Sequence, residues 1–171
     1  MLLSSFQIVA VVFVAVYLGR WRLGVHRRNG QSWESLIARL QQGCNARELS
    51  EHFLWKEGLS ATPEETWQKI KGPSGLWAMH KNAQVMLEMA HYAAQNGNVD
   101  PMMLETLRAD AIQIKMCVLR AIVQHTLNHA SEAVKMNAFH AASMYTGMAA
   151  RMTQLLQDHA EMALPEFVAA M

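Results

Sequence analysis

The group of side chains best placed to bind a metal ion is His125-Thr126-Leu127-Asn128-His129, followed by Glu132. At 100° per residue, positions 125, 129 and 132 fall within about 60° of one another on a continuous helix. Two imidazoles and a carboxylate suit Zn or Fe. Alternatively, both histidines end a core-facing stripe and bond to backbone or water. The segment lacks the glutamate that follows the first histidine of a zincin helix, and a predicted helix break at 128–131 would disrupt the face.

Two weaker metal patterns lie elsewhere in the chain. Glu88-Met89-Ala90-His91 has the Glu-x-x-His spacing of ferritin-like di-iron bundles, but such a site needs a second copy, and the sequence has none. His140, Met144, Met148 and Met152 form an i, i+4 row that could bind Cu(I). Methionine also fills gaps between helices and lines adaptable binding surfaces. We therefore expect this row to pack inside the domain, and the second expectation is that Met144, Met148 and Met152 bind a protein partner. We predict no cofactor for the chain, with a Zn, Fe or Cu ion as the alternative.

Patterns for nucleophilic catalysis are absent from the sequence. Gly72-Pro73-Ser74-Gly75 does not complete a G-x-S-x-G elbow, and no phosphate-binding glycine loop or haem-attachment motif occurs. Cys44 and Cys117 are too few for a disulfide framework and are expected to be reduced thiols. The sequence therefore predicts no catalytic residue.

The first element of the chain is an uncharged stretch from Met1 to Gly19. Because a helix rises 1.5 Å per residue, about 17–20 apolar residues can cross a bilayer. A cleaved signal peptide would require a Lys or Arg before the apolar core, and this chain has none there. A buried helix would usually show one polar face, and this stretch shows none. We predict a transmembrane anchor at 1–19, with the side chains of Phe6, Ile8, Val9, Val11, Val12, Phe13, Val14, Val16 and Leu18 in the bilayer.

A basic neck at residues 20–31 follows the predicted anchor. Its arginines are Arg20, Arg22, Arg27 and Arg28. The positive-inside rule then places the N-terminus outside and the rest of the chain in the cytoplasm. Tyr17 and Trp21 suit the membrane interface, and the arginines suit anionic headgroups. The lipid bilayer is thus the first predicted partner.

Charge and composition divide the chain further. Residues 1–47 carry a net charge of +5 and residues 48–171 a net charge of −4. Nucleic-acid-binding domains concentrate positive charge on the folded part, so we expect no nucleic-acid partner. All five tryptophans precede Met79, and every methionine except Met1 lies at or after it. We therefore divide a soluble domain at 32–171 into short Trp-bearing helices at 32–73 and longer Met/Ala-rich helices at 74–171.

Start and stop signals predict that this domain is all-α, a small bundle of about five to six helices. Helix starts are expected at Ser32, Asn45, Thr62, Ser74 and Asp100-Pro101, and helix ends at Gly43, Gly58, before Lys71 and at Asn96-Gly97. Pro101–His159 would be about 90 Å long as one helix, so we favour a hairpin that breaks near Asn128–Ser131 over a single helix.

Two stripes of apolar residues predict how this hairpin packs. The first is Leu104, Leu107, Ala111, Ile114, Val118 and Ile122, opposite a polar stripe of Asp110, Gln113, Arg120, Gln124 and Asn128. The second is Val134, Ala138, Ala141, Tyr145, Met148, Met152 and Leu155. The expected function is interaction: a membrane-anchored scaffold, accessory subunit or regulator with a protein partner or as a homo-oligomer. The alternative is a metal-binding or redox bundle using His125, His129 and Glu132.

Overall fold

The computed structural model describes residues 32–41, 48–51, 62–97, 99–128 and 131–171. Within these ranges every regular element is a helix, which confirms the all-α class. The helices are α1 (Trp33–Ile37), α2 (Pro63–Lys69), α3 (Pro73–Asn96), α4 (Pro101–Asn128), α5 (Glu132–His159) and α6 (Leu164–Ala170). A 3-10 helix at Glu161–Ala163 precedes α6, and residues 48–51 are also helical. Residues from Trp33 to Met171 form one compact unit.

The predicted anchor and basic neck lie outside the described residues. Among the helices that the structure does describe, none combines the length and the apolar character needed to cross a membrane.

Local signals fix the start of α2. Thr62 Oγ1 accepts a hydrogen bond from the Glu65 amide at 3.2 Å, and the Thr62 amide donates to Glu65 Oε2 at 3.3 Å. This capping box, with Pro63 in the first turn, satisfies amides that the helix itself leaves unpaired. The predicted start at Thr62 and the end before Lys71 are both confirmed.

Two predicted boundaries are wrong. α1 ends at Ile37 rather than Gly43, with turns over 38–40. α3 begins at Pro73 rather than at Ser74, with Gly72 as its N-cap. Gly72 has a φ of 63°, a backbone conformation that glycine adopts without the steric penalty of a side chain.

The hairpin predicted between residues 101 and 159 is confirmed. α4 ends at Asn128, α5 begins at Glu132 with Ser131 as N-cap, and the two helices pack along each other. α3 packs against both of them, and α2 lies on α5. The result is a three-helix core of α3, α4 and α5, with the shorter helices against it.

The predicted core stripes account for the packing of α4 and α5. All seven residues of the α5 stripe are at most 2% exposed. On α4, four of the six predicted residues have no exposed surface, and the other two pack against the core: Leu107, Ala111, Ile114 and Val118, with Leu104 and Ile122 beside them.

Two polar side chains are fully buried among the described residues, Thr66 of α2 and Asn82 of α3, and Asn82 bonds across this apolar core. Its Nδ2 donates to the Gln41 carbonyl at 3.0 Å and to the Tyr145 hydroxyl at 2.9 Å. Its Oδ1 accepts from the Gln41 amide at 2.7 Å. Tyr145 Oη in turn lies 3.6 Å from Met171 Sδ. Asn82 therefore joins the segment after α1, the core helices and the C-terminus.

Candidate functional site

The outward face of α4 carries five large apolar side chains in solvent. They are Ile112, Met116, Leu119, Val123 and Leu127, with exposed fractions of 54%, 47%, 44%, 55% and 81%. We call this set the α4 stripe. Soluble domains expose single apolar residues routinely, whereas contiguous patches mark interaction sites. The stripe is therefore the candidate functional site.

Helix geometry explains how α4 is apolar on two sides. Its core residues, such as Ala111, Ile114 and Val118, have no exposed surface. At 100° per residue, the α4 stripe occupies an arc of about 80° whose centre lies about 160° from the centre of the core face. α4 thus has one face packed in this domain and a second face available for packing against something else.

Spacing along the stripe is regular. Ile112, Met116, Leu119 and Val123 follow one another at intervals of four, three and four residues, the a/d spacing of a coiled coil. The exposed residues Ala109 and Thr126 continue the same spacing at either end. Between residues 109 and 127, all of which are described, Arg120 is the single charged residue classed as exposed. This pattern suits knobs-into-holes contact with another helix.

The predicted polar stripe of α4 is confirmed only in part, because Gln113 and Arg120 are exposed but two other members are not. Asp110 and Gln124 are half-buried and face α5: Asp110 pairs with Arg151, and Gln124 Oε1 accepts from Asn137 Nδ2 at 2.9 Å. Polar side chains thus border the α4–α5 contact, which leaves the outward arc to the apolar stripe. The sequence signal that could have identified this apolar face is the 4-3-4 spacing from Ile112 to Val123. It is a second apolar periodicity beside that of the core stripe.

Two of the candidate metal ligands, His125 and Glu132, lie on different helices. His125 is half-buried near the end of α4, with its ring centre 5.6 Å from that of Trp67. Glu132 is exposed in the first turn of α5, and His129 lies outside the described residues. α4 ends at Asn128 and α5 begins at Glu132, so His125 and Glu132 do not share one helix. Among the described residues, no three His, Cys, Asp or Glu side chains are grouped closely enough to hold a metal ion.

The methionine row on α5 lies largely inside the domain. His140 is exposed and Met144 is half-buried, but Met148 and Met152 have no exposed surface. Their position corresponds to the packing interpretation and leaves these two methionines no surface for a partner. The exposed methionines of the hairpin are instead Met102 and Met116 on α4 and Met136 on α5.

A polar seam that the sequence analysis missed links the turn after α1 with α3 and α4. Glu88 Oε2 accepts from Arg39 at 2.6 Å, and Glu88 Oε1 accepts from Gln84 Nε2 at 2.9 Å. Lys115 of α4 donates to Gln84 Oε1. Burial lowers the pKa of Lys115, against the opposing effect of the Glu88 carboxylate. Glu88, proposed from the Glu-x-x-His pattern, is therefore held by the turn after α1 and by Gln84 of its own helix.

His80 lies one turn before this seam on α3. Its ring stacks on Trp77, with centroids 5.2 Å apart and planes 3° from parallel. Its Nδ1 is buried and has no hydrogen-bond partner within the described part of the chain. Burial, and then the charge of Lys115, lower the pKa of His80. These surroundings favour the neutral imidazole.

A small apolar pocket of about 200 Å³ lies between α5 and α6. Its walls include Thr146, Ala149, Thr153, Phe167 and Met171. Ligand sites usually measure about 300–1,000 Å³ and combine apolar walls with convergent polar groups. This pocket is smaller and offers mainly threonine hydroxyls, so the α4 stripe remains the stronger candidate.

Comparison of the chain with protein-family models, with curated proteins and with solved structures finds no match in any of the three. The proposed function therefore rests on the geometry of the described residues.

Proposed function

We propose that the chain is a single-pass membrane-anchored interaction protein, whose helical domain lies in the cytoplasm and binds protein through the α4 stripe. The observation that carries the proposal is the second apolar face of α4, with Leu119 and Val123 at its centre and exposed by 44% and 55%. Fully burying a large apolar side chain contributes about 1.5–3 kcal/mol, and side chains that are about half exposed contribute roughly half of that, so covering all five favours association.

Support for the anchor comes from the sequence. Residues 1–19 are uncharged, and four arginines follow within ten residues. The described helices add a relevant contrast: α4 is 28 residues long, but Lys115 and Arg120 interrupt its apolar character. The N-terminal stretch has no such interruption and meets the length and charge criteria for a span.

The interface is tested by site-specific photo-crosslinking in cells. A photoreactive amino acid replaces Leu119 in the stripe or, as the control, Met162, which is 95% exposed and lies in the 3-10 helix after α5. We expect protein adducts from position 119 at several times the yield from position 162, because only the stripe lies in an interface. Equal yields, or only lipid adducts at 119, would refute the proposal.

The anchor is tested by fusing a fluorescent protein or alkaline phosphatase to the C-terminus. We expect carbonate-resistant membrane association, fluorescence and no phosphatase activity. Substitution of Arg20, Arg22, Arg27 and Arg28 by neutral residues should scramble the orientation of the chain in the membrane. The reason is that the positive charge that retains the C-terminal side in the cytoplasm is lost. A carbonate-soluble protein, or an orientation unchanged by the substitutions, would contradict the anchor and its topology.

A further inference from the structure

We propose that the α4 stripe is a self-association surface: two copies of this chain pair through antiparallel α4 helices about a two-fold axis. This inference rests on the proposed function and names its partner as a second copy.

The first argument is that the stripe is complementary to itself in one register. When Met116 of one copy meets Leu119 of the second, Ile112 of the first copy meets Val123 of the second. The two-fold axis repeats both contacts, so one register gives four consecutive apolar layers. This matches an isologous interface, in which a single patch binds its own copy. The a/d spacing of the stripe places each of these side chains in a hole formed by the facing helix.

Charge selects the antiparallel direction. In a parallel pair, the residues flanking the stripe would place Arg120 of one copy beside Lys115 of the other, two cations at one contact. In the antiparallel register, Arg120 lies beside the uncharged and exposed Gln113 of the second copy. Like charges at an interface are unfavourable, so the antiparallel pair is preferred.

The size of the stripe fits a second copy that is held nearby. One helix face per copy is small beside the roughly 800 Å² per partner that stable complexes bury. Anchoring in one membrane raises the effective concentration of the copies and offsets this deficit. A two-fold axis normal to the bilayer lets both anchors enter the same membrane, which makes the antiparallel pair compatible with the proposed topology.

The test uses two full-length chains with different affinity tags, co-expressed and purified together. M116E alone and L119K alone should each reduce co-purification of identical copies at least tenfold, because each places a charge against an apolar side chain. Co-expression of M116E with L119K should restore most of it. In the antiparallel register, the introduced carboxylate meets the introduced amine, and the other central layer keeps its natural Met–Leu contact.

M162E is the matched control, since it adds the same charge at an exposed methionine away from the stripe, and it should leave co-purification unchanged. If M116E and L119K associate as the natural chain does, or if the mixed pair does not recover, the inference is overturned. Recovery in the mixed pair also shows that both variants fold.

Direction is tested by disulfide formation in a background of Cys44→Ser and Cys117→Ser. I112C/V123C should form covalent dimers, because residues 112 and 123 of opposite copies share a layer. V123C alone should not form them. In the antiparallel pair residue 123 of one copy lies level with residue 112 of the other, so the two introduced cysteines are separated by eleven residues, or about 16 Å at 1.5 Å per residue. A V123C dimer would show parallel pairing and overturn the inference. Photo-crosslinks from position 119 to a different protein, without co-purification of two copies, would overturn self-association and leave the proposed function standing.

Discussion

At the scale of single residues, one buried amide connects parts of the domain that are distant in sequence. Asn82 bonds to both backbone groups of Gln41 and to the Tyr145 hydroxyl. Removing a buried hydrogen-bonding group leaves its partners unsatisfied, at about 1–3 kcal/mol. We expect N82A to lower the free energy of unfolding of the full chain by about 2–3 kcal/mol, and Y145F by about 1 kcal/mol, in urea titrations.

The control for N82A is Q95A, a substitution at an exposed position on the same helix. It should change the free energy of unfolding by less than about 0.5 kcal/mol. A loss in N82A no larger than in Q95A would show that the Asn82 network contributes nothing to stability.

A second residue, His80, should make stability depend on pH. Its pKa is lowered from 6.5, so between the folded value and 6.5 the unfolded chain binds more protons at this site than the folded chain. The free energy of unfolding should therefore fall as the pH falls through that window. H80F keeps an aromatic ring against Trp77 and removes the titration, so its stability should fall less between about pH 7.5 and about pH 5.

The comparison for H80F is H140F, which replaces an exposed histidine on α5. Thermal unfolding at both pH values measures the difference. If H80F and H140F reduce the pH dependence of stability equally, the burial of His80 is not the cause of that pH dependence.

At the scale of elements, the start of α3 lies very close to the backbone at the end of α2. A Cβ added at Gly75 would lie 1.8 Å from the Ile70 carbonyl oxygen, which is backbone and cannot move aside alone. We expect G75A to lower the free energy of unfolding by about 3 kcal/mol or more. G147A is the matched control, because its nearest neighbour is the flexible Arg151 side chain at 3.5 Å.

We expect calorimetry to give opposite results for the two glycine variants. G147A should be neutral or stabilising by up to about 1 kcal/mol, since alanine has the higher helix propensity. Similar transition temperatures for G75A and G147A would contradict the close approach of α3 to Ile70.

Element boundaries were predictable where the signal is local. The capping box at Thr62 and the break before Ser131 depend on residues within one turn, so sequence alone located them. The short α1 was not predictable in the same way, because apolar spacing from Trp33 to Leu40 fits both one long helix and a helix followed by turns.

The candidate site was harder to predict, because faces are assigned only by tertiary packing. Asp110 and Gln124 are polar, yet they border α5, and apolar Leu119 and Val123 face outward. Sequence alone shows two apolar periodicities on α4 but not which of them the rest of the domain covers. The seam through Gln84, Glu88 and Lys115 likewise depends on contacts between helices.

At the scale of the whole molecule, the core and the stripe have different roles. α3, α4 and α5 bury their apolar faces together, while the second face of α4 stays in solvent in the single chain. Anchoring two copies in one membrane would raise their effective concentration, which favours even a small interface. The central claim is therefore that the stripe is covered when the protein is in its membrane.

Cysteine modification in isolated membranes measures this most directly. In the Cys44→Ser and Cys117→Ser background, V123C or M162C of the full chain reacts with a maleimide–polyethylene glycol, before and after denaturation. The exposed fractions of Val123 and Met162, 55% and 95%, differ less than twofold in the single chain. A covered stripe predicts that V123C reacts at least ten times more slowly than M162C in native membranes and equally fast after denaturation. Native rates within about twofold, as these exposures alone imply, would contradict the account.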